Sequence, residues 1–141
     1  MIRYSESRRK GALYEQFACD VLEKNGYDIL DRNFTVKSGE IDIIAMQRGQ
    51  ICFIEVKALR QTVPFDPEES VTPLKLKKIT ETSLKYMYRL HRTSGVDISQ
   101  LKYRYDVIAI RFDDNGDVTK MTHFRNCYSP DKEYMRQMLE I

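Results

Sequence analysis

The sequence predicts a single α/β domain spanning residues 1–141, with a central mixed β-sheet of about five strands flanked by helices in the order α-β-β-β-α-β-β-α. Five short runs of β-branched and aromatic residues, several with apolar and polar residues alternating, predict the strands. Runs of apolar residues at helical spacing precede, interrupt and follow them. A chain of 141 residues is one domain's worth and long enough to bury roughly two thirds of its unfolded surface.

The composition is that of an ordinary globular protein, with 42% hydrophobic and 31% charged residues. The formal net charge of +2 permits a nucleic-acid partner without demanding one. The three cysteines are scattered and form no CxxC pair, which favours a reducing cytoplasm over a zinc site or disulfides. The polar N-terminus and the lack of a run of roughly 18 apolar residues predict a cytoplasmic protein that is neither secreted nor inserted in a membrane.

The first helix is expected over residues 7–25, because Leu13, Tyr14, Phe17, Ala18, Val21 and Leu22 recur at helical spacing and Gly26 follows. Glu15 falls at the border of this apolar stripe rather than opposite it. From position alone, Glu15 is a boundary carboxylate paired with Arg8 or Lys24, or it faces the edge of the core.

The next three strands bring charges into apolar runs. A short strand is expected over residues 27–34, followed by the pair within residues 39–57, GEIDIIAMQRGQICFIEVK, which turns at residues 47–50. With period 2, Glu40 and Asp42 share one strand face, and Glu55 and Lys57 share a face of the next strand. A fold that joins these faces places Asp42, Glu55 and Lys57 around one small volume. Buried charges need a partner or a metal, so this stretch predicts a functional site.

A loop and a second helix follow. Residues 59–73 contain three prolines and cannot continue a central strand. Thr72 is the expected N-cap, with Pro73 in the first helical position, and the helix should run to about His91. Lys75, Lys77 and Lys78 crowd its first turn, where the helix dipole favours anions; they either hold a phosphate or form a solvated basic face.

The last elements are expected to be structural. A strong strand over residues 103–112 is interrupted by Asp106, for which Arg104 or Lys57 is the expected partner. A turn at residues 113–116 leads to an edge strand over residues 118–124 and then a short helix over residues 130–139. His123 stands alone on the edge strand, and a lone histidine of this kind is more often structural than metal-binding.

The chemistry open to these residues is limited. The chain has no GxxxxGK[ST], GxGxxG or GxSxG motif, and its cysteines and histidines form no convincing catalytic pair. Carboxylates beside a lysine suit Mg²⁺ or Mn²⁺ and the hydrolysis of phosphodiesters. A glycosidase also uses two carboxylates, but it needs no adjacent strand lysine, so it is the weaker alternative among enzymes.

Asp42 followed by a hairpin and Glu55-Val56-Lys57 resembles the PD-(D/E)XK nuclease motif. Further segments make nearly the whole chain similar to the bacterial YraN family, which is related to the archaeal Holliday-junction resolvases of restriction-endonuclease-like fold. The segments that carry this resemblance are Gly11 and Glu15, Gly26-Tyr27, Arg32-Asn33-Phe34, Gly39 to Asp42, Phe53 to Lys57, Val71 to Lys75 and Arg104 to Val107.

The resemblance implies a restriction-endonuclease-like fold in which Asp42 and Glu55 bind the metal and Lys57 is the catalytic lysine. It also moves Glu15 into the site, as the helix carboxylate that completes the acidic cluster. Glu40 and Asp106 are expected around these residues, where they would orient a ligand or a water. The chain departs from the family pattern after the lysine: it has Ala58-Leu59-Arg60, so the basic residue is displaced by one.

The leading hypothesis is therefore a Mg²⁺- or Mn²⁺-dependent endonuclease acting on DNA, including branched or distorted DNA. The alternative is a non-catalytic nucleic-acid-binding module on the same fold; an adaptor that uses the loop at residues 59–73 is a third reading. By analogy with resolvases, two copies could form a homodimer that cuts two strands. In either nucleic-acid reading the expected phosphate contacts are Arg8, Arg9, Lys10, Lys75, Lys77 and Lys78.

Overall fold

The computed structural model describes residues 2–67, 69 and 72–128, with side chains from residue 11 onward. The helices are α1 (Ile2–Lys24) and α2 (Pro73–Ser94), with a 3-10 turn at Ile98–Gln100. The strands are β1 (Asp28–Val36), β2 (Gly39–Gln47), β3 (Gln50–Arg60), β4 (Lys102–Phe112) and β5 (Val118–Tyr128). The expected α/β class is confirmed, and the expected final helix at residues 130–139 lies outside the described residues.

The five strands form one mixed sheet in the order β1-β2-β3-β4-β5. All neighbouring pairs are antiparallel except β3 and β4, which run parallel in register from Gln50↔Lys102 to Arg60↔Phe112. A parallel pair needs a crossover connection, and α2 lies in it. The first turn of α2 therefore comes soon after the end of β3.

The two helices cover opposite faces of the sheet. Adjacent strand residues point in opposite directions, so each strand supplies apolar side chains to both helices. Tyr14, Ala18 and Leu22 of α1 pack in a cluster with Ile43, Ile54 and Ile108. Strand residues on the opposite face, including Ile44, Phe53 and Tyr105, form a second cluster with Leu84, Tyr86 and Met87 of α2. Strand β3 is buried on both faces and is the centre of the fold.

Several element boundaries differ from the expectation. Helix α1 begins at Ile2 rather than near residue 7, and Leu13 and Phe17 are 67% and 37% exposed, so the buried stripe of α1 is narrower than the sequence indicated. Strand β3 continues to Arg60 because β4 pairs with it to its end, and β5 continues to Tyr128. Thr72 is the N-cap of α2, as expected, and its side chain accepts a hydrogen bond from the Lys75 amide.

The cysteines and the helices bear on the disulfides and the membrane spans that the sequence did not predict. Cys19, Cys52 and Cys127 form no disulfide among the described residues. Among the helices of the described residues, none combines the length and the apolar character that crossing a membrane would require.

Candidate active site

Asp42 is positioned where β2 and β3 separate. The two strands are paired from Gln47↔Gln50 to Ile43↔Ile54, and Asp42 lies just beyond the end of this ladder. Its Oδ2 accepts a hydrogen bond of 2.8 Å from the Val56 amide, which thereby gains a side-chain acceptor where the strand ladder ends. The carboxylate is held in place by the backbone, and its Oδ1 accepts no hydrogen bond from the described part of the chain.

Glu55 lies on the face of β3 that α2 covers and is surrounded by cationic groups. Lys75 Nζ, from the first turn of α2, lies 2.9 Å from Glu55 Oε1, and Lys57 Nζ lies 3.2 Å from the same oxygen. Tyr128 Oη, at the end of β5, donates to Oε2 over 3.5 Å. The two lysines are about one third exposed, so the ion pairs are open to solvent on one side.

A cavity of about 170 Å³ lies between these elements, and Lys57 adjoins it through its contact with Glu55. Asp42 and Glu55 form part of its wall with Lys75 and Tyr128, and Glu40 lies at its exposed edge. The structure thus brings Asp42, Glu55 and Lys57 together, as the alternation along the two strands predicted. Lys75 and Tyr128 were not expected in this site: Lys75 was placed on the surface for phosphate contacts, and β5 was expected to end before Tyr128.

The electrostatics of Asp42 are those of a crowded acidic site. Burial raises its pKa from 3.8 to about 6, against the lowering effect of the hydrogen bond from Val56. Repulsion from Glu15, Glu55 and Glu40 adds to the rise. Four carboxyl groups therefore lie near enough to influence one another, and a cation beside Asp42 would relieve their repulsion.

Glu15 reaches this acidic cluster from α1, on the other side of the sheet. Burial raises its pKa, Arg32 opposes the rise, Glu40 adds to it, and a hydrogen bond with Asn33 lowers it. The described groups that act favourably on Glu15 are Arg32 and Asn33 rather than Lys24, and the side chain of Arg8 lies outside the described residues. Asn33 adopts a left-handed conformation, with φ of 52°, which asparagine tolerates better than most residues. Sequence reasoning missed this role, although Arg32-Asn33-Phe34 was one of the segments that carried the family resemblance.

The fit of a divalent cation can be judged from these donors. Carboxylate oxygens are the ligands that Mg²⁺ and Mn²⁺ favour, and Asp42 has a free oxygen in a strongly acidic surrounding. Against this, both lysines occupy Glu55 Oε1, and among the described residues no three His, Cys, Asp or Glu side chains already converge as a metal site. The donor set fits a hard cation, provided that Glu55 exchanges a lysine for it.

Asp106 lines the same cavity, but its carboxylate is engaged by partners outside the acidic cluster, and its expected role in orienting a ligand or a water stays a prediction. Its carboxylate is almost fully buried and is bound by Arg104 Nε at 3.1 Å, His123 Nε2 at 2.8 Å and the Asn126 amide at 2.9 Å. Arg104 in turn donates to Tyr27 Oη at 2.7 Å. This Asp106 cluster connects β4, β5 and the start of β1, so the expectation of a structural role for His123 is supported and Arg104 is the partner of Asp106.

The candidate phosphate-binding residues are placed differently from one another. Arg8, Arg9 and Lys10 lie within α1, and their side chains are outside the described part of the structure. Lys77 and Lys78 are exposed on α2, as expected for a basic surface. Lys75 points into the cavity and pairs with Glu55.

Comparison with known proteins gives a consistent result. Residues 14–110 match the model of an uncharacterised protein family, UPF0102, and this range contains Glu15, Glu40, Asp42, Glu55, Lys57 and Lys75 but not Tyr128. A UPF0102 protein of Cytophaga hutchinsonii is 42% identical over 105 residues, covering 74% of this chain and 87% of the relative. A UPF0102 protein of Trichlorobacter lovleyi is 38% identical over 121 residues, covering 84% and 88%, and one of Helicobacter pylori is 45% identical over 97 residues, covering 69% and 82%.

Proposed function

The chain belongs to the uncharacterised UPF0102 family, also called the YraN family, and from its cavity we propose that it is a metal-dependent endonuclease that hydrolyses phosphodiester bonds in DNA. The observation that carries the proposal is that Asp42 and Glu55 line one cavity, with Lys57 Nζ 3.2 Å from Glu55 and with Glu15 and Glu40 close enough to raise the pKa of Asp42. A structural cluster would pair each of its acids with a base. Here Glu55 is paired with Lys57 and Lys75, but the charged groups that act on Asp42 are the carboxyl groups of Glu15, Glu55 and Glu40.

The proposed roles follow from these positions. Asp42 and Glu55 would hold Mg²⁺ or Mn²⁺, with Glu15 reaching the ion directly or through a water. Such an ion lowers the pKa of a bound water and polarises a phosphoryl oxygen. Lys57 Nζ is partly exposed beside Glu55, where it can orient the attacking water or stabilise negative charge on the phosphate as it develops. Glu40, at the rim of the cavity, orients ligands or water.

The direct test is cleavage of labelled linear duplex, single-stranded and four-way-junction DNA with Mg²⁺ or Mn²⁺. Asp42→Asn and Lys57→Met should each lower the cleavage rate on the order of 100-fold or more, because each removes a group that the reaction needs. Asp28→Asn is a matched control, since Asp28 is exposed at the start of β1 and away from the cavity. Absence of cutting on every substrate, or full activity in both site variants, would show that the proposal is wrong.

One observation favours a second candidate, a nucleic-acid-binding module without turnover. Lys57 and Lys75 both form ion pairs with Glu55. In addition, no three His, Cys, Asp or Glu side chains of the described residues converge in a way that could hold a metal ion. Metal binding separates the two functions. An active site should bind Mn²⁺ and lose it in Asp42→Ala, whereas a pure binding module should show no Mn²⁺ affinity that depends on Asp42.

A further inference from the structure

Helix α2 concentrates the positive charge of the described chain. It carries six Lys and Arg residues and a single acidic residue, Glu81, giving a net charge of +5. The whole chain has a formal net charge of only +2, so everything outside α2 is net acidic. This asymmetry predicts that a polyanion would approach the protein along α2.

The basic side chains of α2 lie in one stripe. At 100° per residue, Lys75, Lys78, Lys85, Arg89 and Arg92 fall within an arc of about 100°, and Glu81 lies just outside it. The stripe begins at Lys75, in the cavity with Glu55, and ends in the last turn of the helix. With a rise of 1.5 Å per residue its length is about 26 Å, which corresponds to roughly eight phosphates along one strand of a duplex.

The far half of this stripe borders a groove of about 410 Å³ between α2 and the edge strand β1. Lys85, Tyr88, Arg89 and Arg92 form one wall and Phe34 and Val36 the other. Arg89 Cζ lies 5.3 Å from the centre of the Phe34 ring. This contact holds the guanidinium over the ring, while its N–H groups remain available to an anion.

No described salt bridge occupies the cations in the far half of the stripe, although Glu81 lies one helical turn before Lys85. Lys85, Arg89 and Arg92 take part in none of the ion pairs among the described residues, in contrast to Lys75 and Lys57. All three are solvent-exposed or line the open groove. Exposed cations without carboxylate partners can bind phosphates without first breaking a salt bridge.

We propose that this α2 stripe is a track for the phosphodiester backbone of a DNA strand, which leads from Arg92 and the groove beside β1 to the cavity at Lys75. The proposal rests on the proposed function, from which it takes nucleic acid as the ligand. It extends the phosphate contacts expected at Lys75 and Lys78 along α2 to Lys85, Arg89 and Arg92. The backbone is the recognised feature, so duplex and single-stranded DNA should both depend on the track.

The test is DNA binding without metal, measured by fluorescence anisotropy in EDTA over a range of salt concentrations. Two variants with the same change in charge are compared: the track variant Lys85→Gln/Arg89→Gln/Arg92→Gln, and the control variant Lys24→Gln/Lys102→Gln/Lys120→Gln. All six residues are exposed or line a groove, and circular dichroism and thermal unfolding check that both variants fold. Duplex and single-stranded probes of equal length are used with each.

The track variant should bind both probes roughly tenfold or more weakly than the parent, and the slope of log affinity against log salt should fall by about 2 to 3, because each lost phosphate contact removes about 0.7 to 0.9. The control variant should keep most of the parent's slope. Equal losses in the two variants, or no measurable DNA binding by the parent at low salt, would overturn the track.

Failure of the track and failure of the nuclease proposal give different results. Because binding is measured without metal, the predicted pattern can appear in a protein that cuts nothing, and the track then stands while the nuclease proposal fails. Conversely, DNA cleavage that depends on Asp42, together with equal binding by the track and control variants, supports the nuclease and rejects the track.

Discussion

At the scale of single residues, Asp42 is a carboxyl group whose protonation is strongly altered by burial in the cavity. Its pKa is raised from 3.8 to about 6, so the folded protein binds this proton more tightly than the unfolded chain does. The resulting stabilisation is complete below about pH 4 and is lost as the pH rises to about 6. Near neutral pH, the ionised carboxylate therefore destabilises the fold in the absence of a cation.

Asp42→Asn is consequently expected to stabilise the metal-free protein. The amide oxygen can still accept the hydrogen bond from Val56, and the repulsion from Glu15, Glu40 and Glu55 disappears. The free energy of unfolding near pH 7 should rise on the order of 2 kcal/mol, and the gain should vanish below about pH 4. Urea unfolding in EDTA at several pH values measures this; a variant less stable than the parent at every pH would contradict it. Asp28→Asn should show no comparable gain.

Lys75 forms an ion pair with Glu55 Oε1, the oxygen that a metal ion would need as a ligand. The distance of 2.9 Å between Lys75 Nζ and Glu55 Oε1 means that the ammonium group and a cation compete for the same carboxylate. Lys75→Gln should therefore bind Mn²⁺ more tightly, by about tenfold or 1.4 kcal/mol. Lys77→Gln removes the same charge from an exposed position on α2 and should change the affinity much less.

Isothermal titration of each variant with Mn²⁺ measures this competition without any DNA or cleavage. Weaker Mn²⁺ binding by Lys75→Gln would show that Lys75 supports the acidic site rather than competing for it. An equal effect of Lys75→Gln and Lys77→Gln would show that only the overall charge of α2 matters.

At the scale of elements, the Asp106 cluster holds the β4–β5 hairpin against β1. Burial alone would raise the pKa of Asp106, but the hydrogen bonds from His123 and Asn126 and the charge of Arg104 hold it below its usual value. A lowered pKa contributes stability that is present above the unfolded value and is lost as the pH falls through the folded one. The cluster is therefore a source of acid sensitivity opposite in sign to Asp42.

Asp106→Asn should destabilise the protein by about 3 to 5 kcal/mol near neutral pH, because it removes the buried carboxylate of an ion pair and leaves the partly buried Arg104 without its partner. The difference between variant and parent should shrink in acid, where Asp106 of the parent takes up a proton. Denaturant unfolding as a function of pH measures both effects. Asp113→Asn, at the tip of the same hairpin, is a control for loss of a carboxylate outside the cluster; a similar loss in both variants would contradict the assignment.

At the scale of the whole molecule, the sequence predicted the sheet and its central acidic residues because both follow from local periodicity. Alternation along β2 and β3 placed Asp42, Glu55 and Lys57 on converging faces, and the prolines after β3 separated it from α2. The missed features are non-local. Lys75 reaches Glu55 only because the loop after β3 returns α2 across the sheet, and nothing in the local pattern specifies that angle.

The same limit explains why the sequence did not predict the contact between Asp106 and His123. Their contact depends on the register of the β4–β5 hairpin, which shifts between Tyr105 and Val107, so neither residue identifies the other from spacing alone. Tyr128 enters the cavity because β5 continues beyond the length that its alternation supported. Asn33 was visible in the resemblance, but its left-handed backbone and its contact with Glu15 are properties of the folded chain.

If the cavity binds a metal as proposed, the stability of the whole protein should depend on that metal, because a cation would offset the repulsion among the carboxyl groups. A cation that binds only the folded state stabilises it by RT ln(1 + [L]/Kd), about 1.4 kcal/mol at ten times the Kd. Mn²⁺ should therefore raise the melting temperature of the parent and of Asp28→Ala, but not that of Asp42→Ala, which lacks the carboxylate fixed by Val56. Equal shifts in all three proteins would mean that Mn²⁺ binds elsewhere. No shift in the parent would favour the binding module over the nuclease, because the repulsion among Glu15, Glu40, Asp42 and Glu55 would then persist in the working protein with only Lys57 and Lys75 to offset it.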